Sequence, residues 1–298
     1  PPRNPGSSMK IFTYTAAIAS GRFSMTTPVA DGPFSYRDPM SGEVYSPKNY
    51  DGKYHGTCQL QACMGNSLNI PAVKVELGIG VSSVVSMARA MGAPPYQLHF
   101  DANGNPNYTT DDSLNTYGAS LTLGGYGETP LQMAQGFSVL AASGVLRPAY
   151  AIKEVSKHGH ITFAHVDGEG QKQVIDPKVA FIMEQIMSND NNRAMIFGHN
   201  SLLTLPGRHV GTKTGTSDSF ADAWTGGYTP HLVAVVWGGN PDWRQKMTLN
   251  SDSYYIAAPM WHRFMQGALD TLGYGDEWYG EPPGLNHNGG NYYLPGTH

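Results

Sequence analysis

The sequence predicts an α+β fold, with helices in the middle of the chain and a short antiparallel sheet toward its C-terminal end. Two observations support this class. Apolar residues recur at helical spacing through 60–92 and 129–144. Between 209 and 237 the chain instead forms short apolar segments separated by tight turns, as strands of a small sheet do. No internal repeat is present to suggest a solenoid or a propeller.

The composition limits the possible functions before any motif is considered. Hydrophobic residues make up 40% of the 298 residues and charged residues 14%, which allows a sizeable core. A net charge of -4 gives no basic field for nucleic acid, and no run of cations suits an anionic membrane surface. The eleven histidines are scattered without ligand spacing, so neither a metal nor a cofactor is expected.

The ends of the chain suggest part of a longer protein. The sequence begins PPRN, without Met and without a recognisable signal peptide. No apolar stretch reaches the length of a membrane-spanning helix, and the longest, HLVAVVW at 231–237, suits a strand.

The N-terminal half is predicted to be mainly helical. A first helix is expected to begin near Ser7, released by Pro5-Gly6, and to end near Ala19. The elements that follow are a polar loop at 33–56, helical segments at 60–78 and 82–92, and a second loop at 100–113.

The C-terminal half begins with a buried helix at 129–144, for which Thr129 and Pro130 supply the N-cap and the first turn. The segments AYAIKEVS and HITFAHV alternate as a hairpin does, with His158 and His160 beside its turn. The remaining predictions are a helix at 177–189, strands in HVGTKTGTS, FADAWTGGY and HLVAVVW, a helix at 258–273, and a surface tail or disorder at 274–298.

The two cysteines, Cys58 and Cys63, are too few for a disulfide framework. If CQLQAC is helical, the two side chains lie on different faces and cannot meet disulfide geometry without distortion. We therefore predict buried free thiols.

Ser7-Ser8-Met9-Lys10 matches the pattern S-x-x-K, which occurs once in the chain. On a helix, positions i and i+3 share a face, so the Ser7 hydroxyl and the Lys10 amine would be neighbours. Apolar residues after Lys10 would lower the pKa of its amine, and a neutral amine can take the proton of a serine nucleophile. The alternative is an ordinary surface feature, a serine N-cap followed by a lysine.

The pattern S-x-N occurs twice, in Ser67-Leu68-Asn69 and in Ser113-Leu114-Asn115. TTDDSLNTYG indicates a helix start capped by Asp and Ser, so Ser113 is given a structural role. Ser67 lies in GNSLNIPAV, where polar residues interrupt a buried stretch and need partners. A lysine and a substrate amide are suitable partners for Ser67 and Asn69.

Lys213-Thr214-Gly215-Thr216 lies on a predicted strand, where Gly215 has no packing role of its own. A glycine in a strand often marks the close approach of a ligand or of another backbone. Lysine and threonine hydroxyls beside such a gap suit a carboxylate. The alternative, an exposed edge strand protected by a lysine, explains Lys213 but not Gly215.

In the order S-x-x-K, S-x-N, K-T-G, these motifs resemble the set found in penicillin-binding proteins and serine β-lactamases. The chain is similar to the transpeptidase domain of class A penicillin-binding proteins over nearly its whole length to about residue 273. Further segments that resemble that family are PKNYDGKYHG, NSLNIPAVKV, LTLGGYGETPLQMAQGFSVLAASG and DAWTGGYTPHLVAVVWGGN. The resemblance implies a β-lactamase/transpeptidase-like fold, an antiparallel sheet flanked by an all-helical subdomain.

The resemblance also implies roles for the motif residues. Ser7 would be the acylated nucleophile and Lys10 its proton acceptor, with the backbone N–H groups of Ser7 and Thr216 forming the oxyanion hole. Ser67 would relay a proton to the leaving amine, and Asn69 would hold the substrate amide and Lys10. The K-T-G residues would bind the terminal carboxylate of the substrate: Lys213 by its charge, and Thr214, Gly215 and Thr216 along the strand.

The implied reaction is transpeptidation of D-Ala-D-Ala stem peptides of peptidoglycan, with β-lactams as covalent inhibitors. A β-lactamase or a β-lactam sensor domain is one alternative, although no Glu lies between Gly78 and Gly127 to hold a hydrolytic water. A binding module with catalytically idle motifs is another. The implied location is the extracytoplasmic face of a bacterial membrane, with the anchor and a glycosyltransferase domain elsewhere in the parent protein.

The chain departs from the family pattern at its N-terminus. Only six residues precede Ser7, whereas the family has sheet strands there, so we expect domain 1–273 to lack those strands and 274–298 to form a separate tail. An inner strand, HLVAVVW, would then present an unpaired edge. We expect the missing strands to have been cleaved, to lie outside the numbered sequence, or to be present as another fragment.

Overall fold

A computed structural model describes residues 1–38, 42–218, 220–242, 245–248 and 251–297. Residues 39–41 of the predicted loop 33–56 and residue 298 of the predicted tail lie outside this description. Within it, the helices are α1 Lys10–Ala19, α2 Leu60–Gly65, α3 Asn69–Ile79, α4 Val81–Ala90, α5 Pro130–Ala141, α6 Pro177–Ser188, α7 Ala194–Phe197 and α8 Ala257–Leu272, with 3₁₀ turns at Gly6–Met9, Leu121–Leu123 and Asp190–Asn192.

The strands of the described residues are short and pair antiparallel. They are β1 Pro28–Asp31, β2 Tyr36–Arg37, β3 Val44–Tyr45, β4 Gly56–Gln59, β5 Gln97–Phe100, β6 Pro106–Thr109, β7 Val145–Leu146, β8 Glu154–Lys157, β9 His160–Ala164, β10 Lys172–Gln173, β11 Gly211–Thr216, β12 Asp222–Tyr228, β13 Val233–Gly239, β14 Asn286–Asn288 and β15 Asn291–Tyr293.

The central sheet has the order β11-β12-β13, as the three predicted segments require. Helices α5 and α8 pack on its two faces. Neighbouring residues of β12 point to opposite sides of the sheet, so consecutive residues meet different helices. A Cβ on Gly226 would lie 2.3 Å from the ring of Phe137 in α5, and one on Gly227 would lie 2.4 Å from the ring of Trp261 in α8. Among the described residues β13 pairs only with β12, so its other edge carries no strand.

Helix α1 runs through the centre of the helical part of the molecule. Its residues Lys10 to Ile18 are all buried, and it contacts α3, α4 and α6. A helix buried on every side needs apolar residues on every side, which explains the nearly unbroken apolar run after Lys10. The predicted α+β class, with an antiparallel sheet beside a helical subdomain, is therefore confirmed.

Several predicted elements are confirmed in detail. Thr129 caps α5 in a reciprocal capping box with Gln132, and Pro130 occupies the first turn. The hairpin β8–β9 turns at His158-Gly159, where both residues have positive φ. In the described part of the chain no single helix is long and apolar enough to cross a membrane; only α3 and α4 together, bent by 92°, meet the length and composition criteria.

The prediction of free thiols is wrong. Cys58 and Cys63 form a disulfide, with their Cα atoms 5.7 Å apart. The prediction assumed that CQLQAC is helical throughout, whereas Cys58 belongs to strand β4 and only Cys63 belongs to α2. The change of direction between the strand and the helix turns the two side chains toward each other.

The prediction of a helix start at Ser113 is also wrong. The Ser113 backbone N–H and hydroxyl both donate to Asp111 Oδ1, but the chain forms an isolated turn and no helix follows. Part of the loop predicted at 100–113 is strand β6, which pairs with β5.

Disorder in the C-terminal segment is not observed for residues 274–297. This segment lies on the surface, contains the hairpin β14–β15, and packs its large side chains on the core. Leu285 is buried, and the Tyr279 hydroxyl donates to the carbonyl of Ala141 in α5 at 2.9 Å. Isolated aromatic anchors hold the segment, so it shows no hydrophobic period.

Candidate active site

The three motifs come together at the junction of the helical part and the central sheet. Ser7 lies in the 3₁₀ turn Gly6–Met9, and Lys10 is the first residue of α1. Ser67 and Asn69 lie where α2 ends and α3 begins. The K-T-G motif lies on β11, which packs directly against the 3₁₀ turn.

Lys10 is fully buried, with 0% of its surface exposed, so the surface interpretation of S-x-x-K is wrong. Its Nζ donates to the carbonyl of Ser67 and to Asn69 Oδ1, both at 2.7 Å. Burial lowers the pKa of Lys10 well below its usual value, the nearby charge of Lys213 lowers it further, and Asp218 opposes the shift. An amine with a depressed pKa is able to accept a proton near neutral pH.

Two serine hydroxyls lie in the 3₁₀ turn, but only one is available. The Ser8 hydroxyl is buried and donates to the carbonyl of Pro5 at 2.5 Å. Ser7 is half-buried, and the Lys10 backbone N–H donates to its carbonyl oxygen, which closes the turn. Of the two serines in the turn, Ser7 is therefore the one that keeps exposed surface.

Ser67 lies between the two lysines. Its carbonyl accepts from Lys10, and its Oγ accepts from Lys213 Nζ at 2.8 Å. The residue has φ +58°, in the left-handed region that non-glycine residues seldom adopt. The surrounding contacts stabilise this backbone conformation, which directs the carbonyl and the hydroxyl of Ser67 toward two different amines.

Lys213 is 3% exposed, so the interpretation of K-T-G as a surface-exposed edge strand is wrong. Burial lowers the pKa of Lys213 to about 7. Besides Ser67, its Nζ donates to the carbonyl of Thr214 at 2.8 Å. The site thus holds two buried amines, and neither has a carboxylate within salt-bridge distance among the described residues.

Gly215 permits the close approach of a backbone rather than of a ligand. A Cβ at this position would lie 2.1 Å from the carbonyl oxygen of Pro5 and 2.2 Å from Ser8 Oγ. Gly6 makes the reciprocal contact, because a Cβ there would lie 2.7 Å from the backbone nitrogen of Thr216. Strand β11 and the serine turn therefore touch backbone to backbone.

The two threonines of the motif differ in environment. Thr214 is buried opposite Thr225 in the sheet. Thr216 is half-buried, and its Oγ1 donates to Ser253 Oγ at 3.1 Å and accepts from the Ser253 backbone N–H at 3.0 Å. No sequence pattern indicated Ser253, because it lies in an aperiodic loop far along the chain.

Sequence reasoning also missed Asn49 and Asp31. Both are buried, and both lie in or beside the stretch treated as a polar loop. Asn49 Oδ1 accepts from the backbone N–H of Asn69 at 2.8 Å, and Asn49 Nδ2 donates to both carboxylate oxygens of Asp31. A single asparagine in a polar loop carries no periodic signal that could have identified it.

The chain is similar in sequence to known proteins. Residues 2–266 match the family model described as penicillin binding protein transpeptidase domain. The chain is 30% identical over 297 residues to Penicillin-binding protein 1A of Neisseria lactamica, covering 98% of this chain and 34% of the relative. It is 29% identical over 283 residues to Penicillin-binding protein 1A of Aquifex aeolicus, covering 94% of this chain and 35% of the relative. The chain thus spans about a third of the length of the curated relatives it matches.

Solved structures agree in fold. Penicillin-Binding Protein 1A from Haemophilus influenzae aligns with a TM-score of 0.81 and 22% identity, over 99% of this chain and 48% of that chain. The PonA1 protein from Mycobacterium tuberculosis, in complex with penicillin V, aligns with a TM-score of 0.75 and 24% identity, over 99% and 75%. At these identities the alignments establish the fold.

Proposed function

Because the chain belongs to the penicillin-binding protein transpeptidase domain family, we propose that it cross-links peptidoglycan stem peptides through an acyl-enzyme on Ser7. The observation that carries this proposal is the fully buried amine of Lys10. Lys10 follows Ser7 by one helical turn, and Ser7 is partly exposed whereas Ser8, the other serine of the 3₁₀ turn, is buried. A low-pKa amine at that position is the base that a serine nucleophile needs.

In the acylation step, Ser7 Oγ attacks the carbonyl carbon of the penultimate D-Ala while its proton passes to the neutral Lys10 amine. The C–N bond to the terminal D-Ala then breaks, and the Ser67 hydroxyl gives its proton to the leaving amine. Lys10 returns its acquired proton to Ser67, so the cycle leaves no net charge on either side chain. The backbone N–H groups of Ser7 and Thr216 stabilise the oxyanion.

Substrate binding is assigned to β11 and Asn69. Lys213 attracts the terminal carboxylate while its amine is charged, and Thr214 and Thr216 flank the carboxylate along the strand, which Gly215 allows to lie against the serine turn. Asn69 holds the stem-peptide amide through its Nδ2 group.

The acyl group then transfers to an amine of a neighbouring stem peptide, which restores the Ser7 hydroxyl and forms the cross-link. Water in place of the amine gives carboxypeptidase activity. A β-lactam carbonyl is attacked in the same way, but its amine remains tethered and cannot leave. We expect slow hydrolysis of that adduct, because Glu128 is buried at the start of α5 and no Glu lies between Gly78 and Gly127.

For the whole protein, we propose an extracytoplasmic position with a membrane anchor and a glycosyltransferase domain outside this chain. The lengths of the Penicillin-binding protein 1A relatives support additional domains. The disulfide Cys58–Cys63 supports an oxidising compartment, because disulfides seldom persist in a reducing cytosol.

A fluorescent penicillin tests the proposal. The intact protein should retain the label through denaturation in SDS, Ser7→Ala should abolish labelling, and Ser156→Ala, on the exposed hairpin, should leave it unchanged. Labelling that survives Ser7→Ala would place the nucleophile elsewhere. A wild-type protein that takes no label would favour the idle binding module.

A further inference from the structure

Residues Lys48 and Asn49 hold Asn69 from two directions. The carbonyl of Lys48 accepts from Asn69 Nδ2 at 2.8 Å, and Asn49 Oδ1 accepts from the Asn69 backbone N–H at 2.8 Å. An amide nitrogen carries two protons, so the contact with Lys48 fixes the plane of the Asn69 side chain and leaves the second proton for a substrate carbonyl. Asn69 Oδ1 then faces Lys10 Nζ at 2.7 Å.

Asn49 occupies the place of a helix cap. Asn69 begins α3, and its preceding residue, Leu68, supplies no side-chain cap. The first N–H groups of a helix have no partner within the helix, so they need an acceptor from elsewhere. Asn49, twenty residues earlier in the chain, provides that acceptor and so determines where α3, and with it Asn69, begins.

Asp31 in turn fixes Asn49. Asn49 Nδ2 donates to the two Asp31 carboxylate oxygens at 2.9 and 2.7 Å and to the carbonyl of Lys53 at 2.8 Å. Asp31 also accepts from the backbone N–H of His55 at 2.8 Å. Asn49 is 6% exposed and Asp31 1%, so water does not compete for these bonds. A flip of the Asn49 amide would bring its oxygen against the carboxylate, and the pair therefore allows one orientation only.

We propose that Asn49 and Asp31 are positioning residues for acyl transfer, acting through Asn69 on Lys10 and on the substrate amide. The inference rests on the proposed function and adds two residues to it. A displacement of about 1 Å in a reacting group lowers rates by about 10²-fold. Loss of the Asn49 contact frees the first turn of α3, so a displacement of that order at Asn69 is the expected consequence.

The rival interpretation is that Asn49 only stabilises its loop. Asn49→Ala and Asn49→Asp separate the two, measured in the intact protein with a fluorescent penicillin under single-turnover conditions. Asn49→Asp keeps the acceptor for Asn69 but loses the Nδ2 donor and places a second carboxylate against Asp31. The matched control is Asn105→Asp, since Asn105 Nδ2 also donates to an aspartate, Asp101, at 3.0 Å but on an exposed loop.

We expect the limiting acylation rate per folded molecule to fall about 10–100-fold in both Asn49 variants and to be unchanged in Asn105→Asp. In Asn49→Ala the acid limb of the pH–rate profile should also move to lower pH, because a displaced Asn69 no longer accepts from Lys10 and so no longer favours its charged form. The other charges acting on Lys10, Lys213 and Asp218, are unaltered. In the double variant Asp31→Asn/Asn49→Asp, an amide again faces a carboxylate, and part of the rate should return.

Acylation at the wild-type rate, with an unshifted acid limb and only a lowered melting temperature, would overturn the positioning role. If Asn49→Ala does not fold, the loss of rate in Asn49→Asp and its partial return in the double variant still test the positioning role. A wild-type protein without labelling would instead overturn the proposed function itself, so the two failures are distinguishable.

Discussion

Gly215→Ala perturbs the contact on which the geometry of the site depends. The added methyl group would lie 2.1 Å from the Pro5 carbonyl oxygen, 2.2 Å from Ser8 Oγ and 2.7 Å from the Ser8 backbone nitrogen. Two of these atoms are backbone, which cannot rotate away as a flexible side chain does. Strand β11 and the serine turn must therefore separate.

The size of the effect follows from the distances. An ordinary contact requires 3.4 Å or more, so the strand must retreat from Pro5 by about 1 Å. That movement carries the Thr216 backbone N–H away from Ser7, and we expect acylation to slow by about 10²-fold. Overpacking of this kind also lowers the free energy of unfolding by about 1–3 kcal/mol.

The assay is single-turnover acylation by a fluorescent penicillin, paired with urea unfolding. Gly267→Ala is the matched control, because a Cβ at Gly267 in α8 meets nothing within 4 Å. This control should acylate at the wild-type rate and gain about 1 kcal/mol of stability from helix propensity. If Gly215→Ala acylates as fast as the control, the backbone contact does not set the geometry of the site.

Two predictions concern pH. Since burial lowers the pKa of Lys213 to about 7, its charge is lost as pH rises through 7, and the dissociation constant of the penicillin complex before acylation should increase from pH 6 to 9. A Lys213→Ala variant should bind weakly with no such dependence. An equal rise in both proteins would contradict the assignment. Burial raises the pKa of Glu184 from 4.5 to about 9, so the folded state holds a proton that the unfolded state releases, and stability falls as pH rises between these values by up to about 1.4 kcal/mol per pH unit. In urea unfolding, the stability of Glu184→Gln relative to the wild type should rise by about 3 kcal/mol between pH 6 and pH 8. Parallel stabilities would show that Glu184 is not buried as a neutral acid.

Periodic and capped elements could be predicted from the sequence because their causes are local. The helix begun by Thr129 and Pro130 depends on a cap and an apolar stripe within a few residues, and α5 forms there. The turn at His158-Gly159 is equally local. The burial of Lys10 could be predicted as well, because it stands at the start of a nearly unbroken apolar run.

Features that depend on a change of direction or on distant partners could not be predicted. The Cys58–Cys63 disulfide requires the strand-to-helix turn between them, and a helical interpretation of CQLQAC conceals it. Asn49 acts on Asn69 across twenty residues of aperiodic chain. Sequence spacing identified Gly215 as a point of close approach but could not decide between a ligand and a backbone.

The position of the acyl group shows which serine is the nucleophile. After reaction with penicillin, trypsin should release residues 4–10, NPGSSMK, which contain Ser7 and Ser8 as their only serines. Fragmentation mass spectrometry of this peptide should place the whole adduct on Ser7. An adduct on Ser8, on Ser67, or on any peptide outside residues 4–10 would contradict the assignment of nucleophile and base.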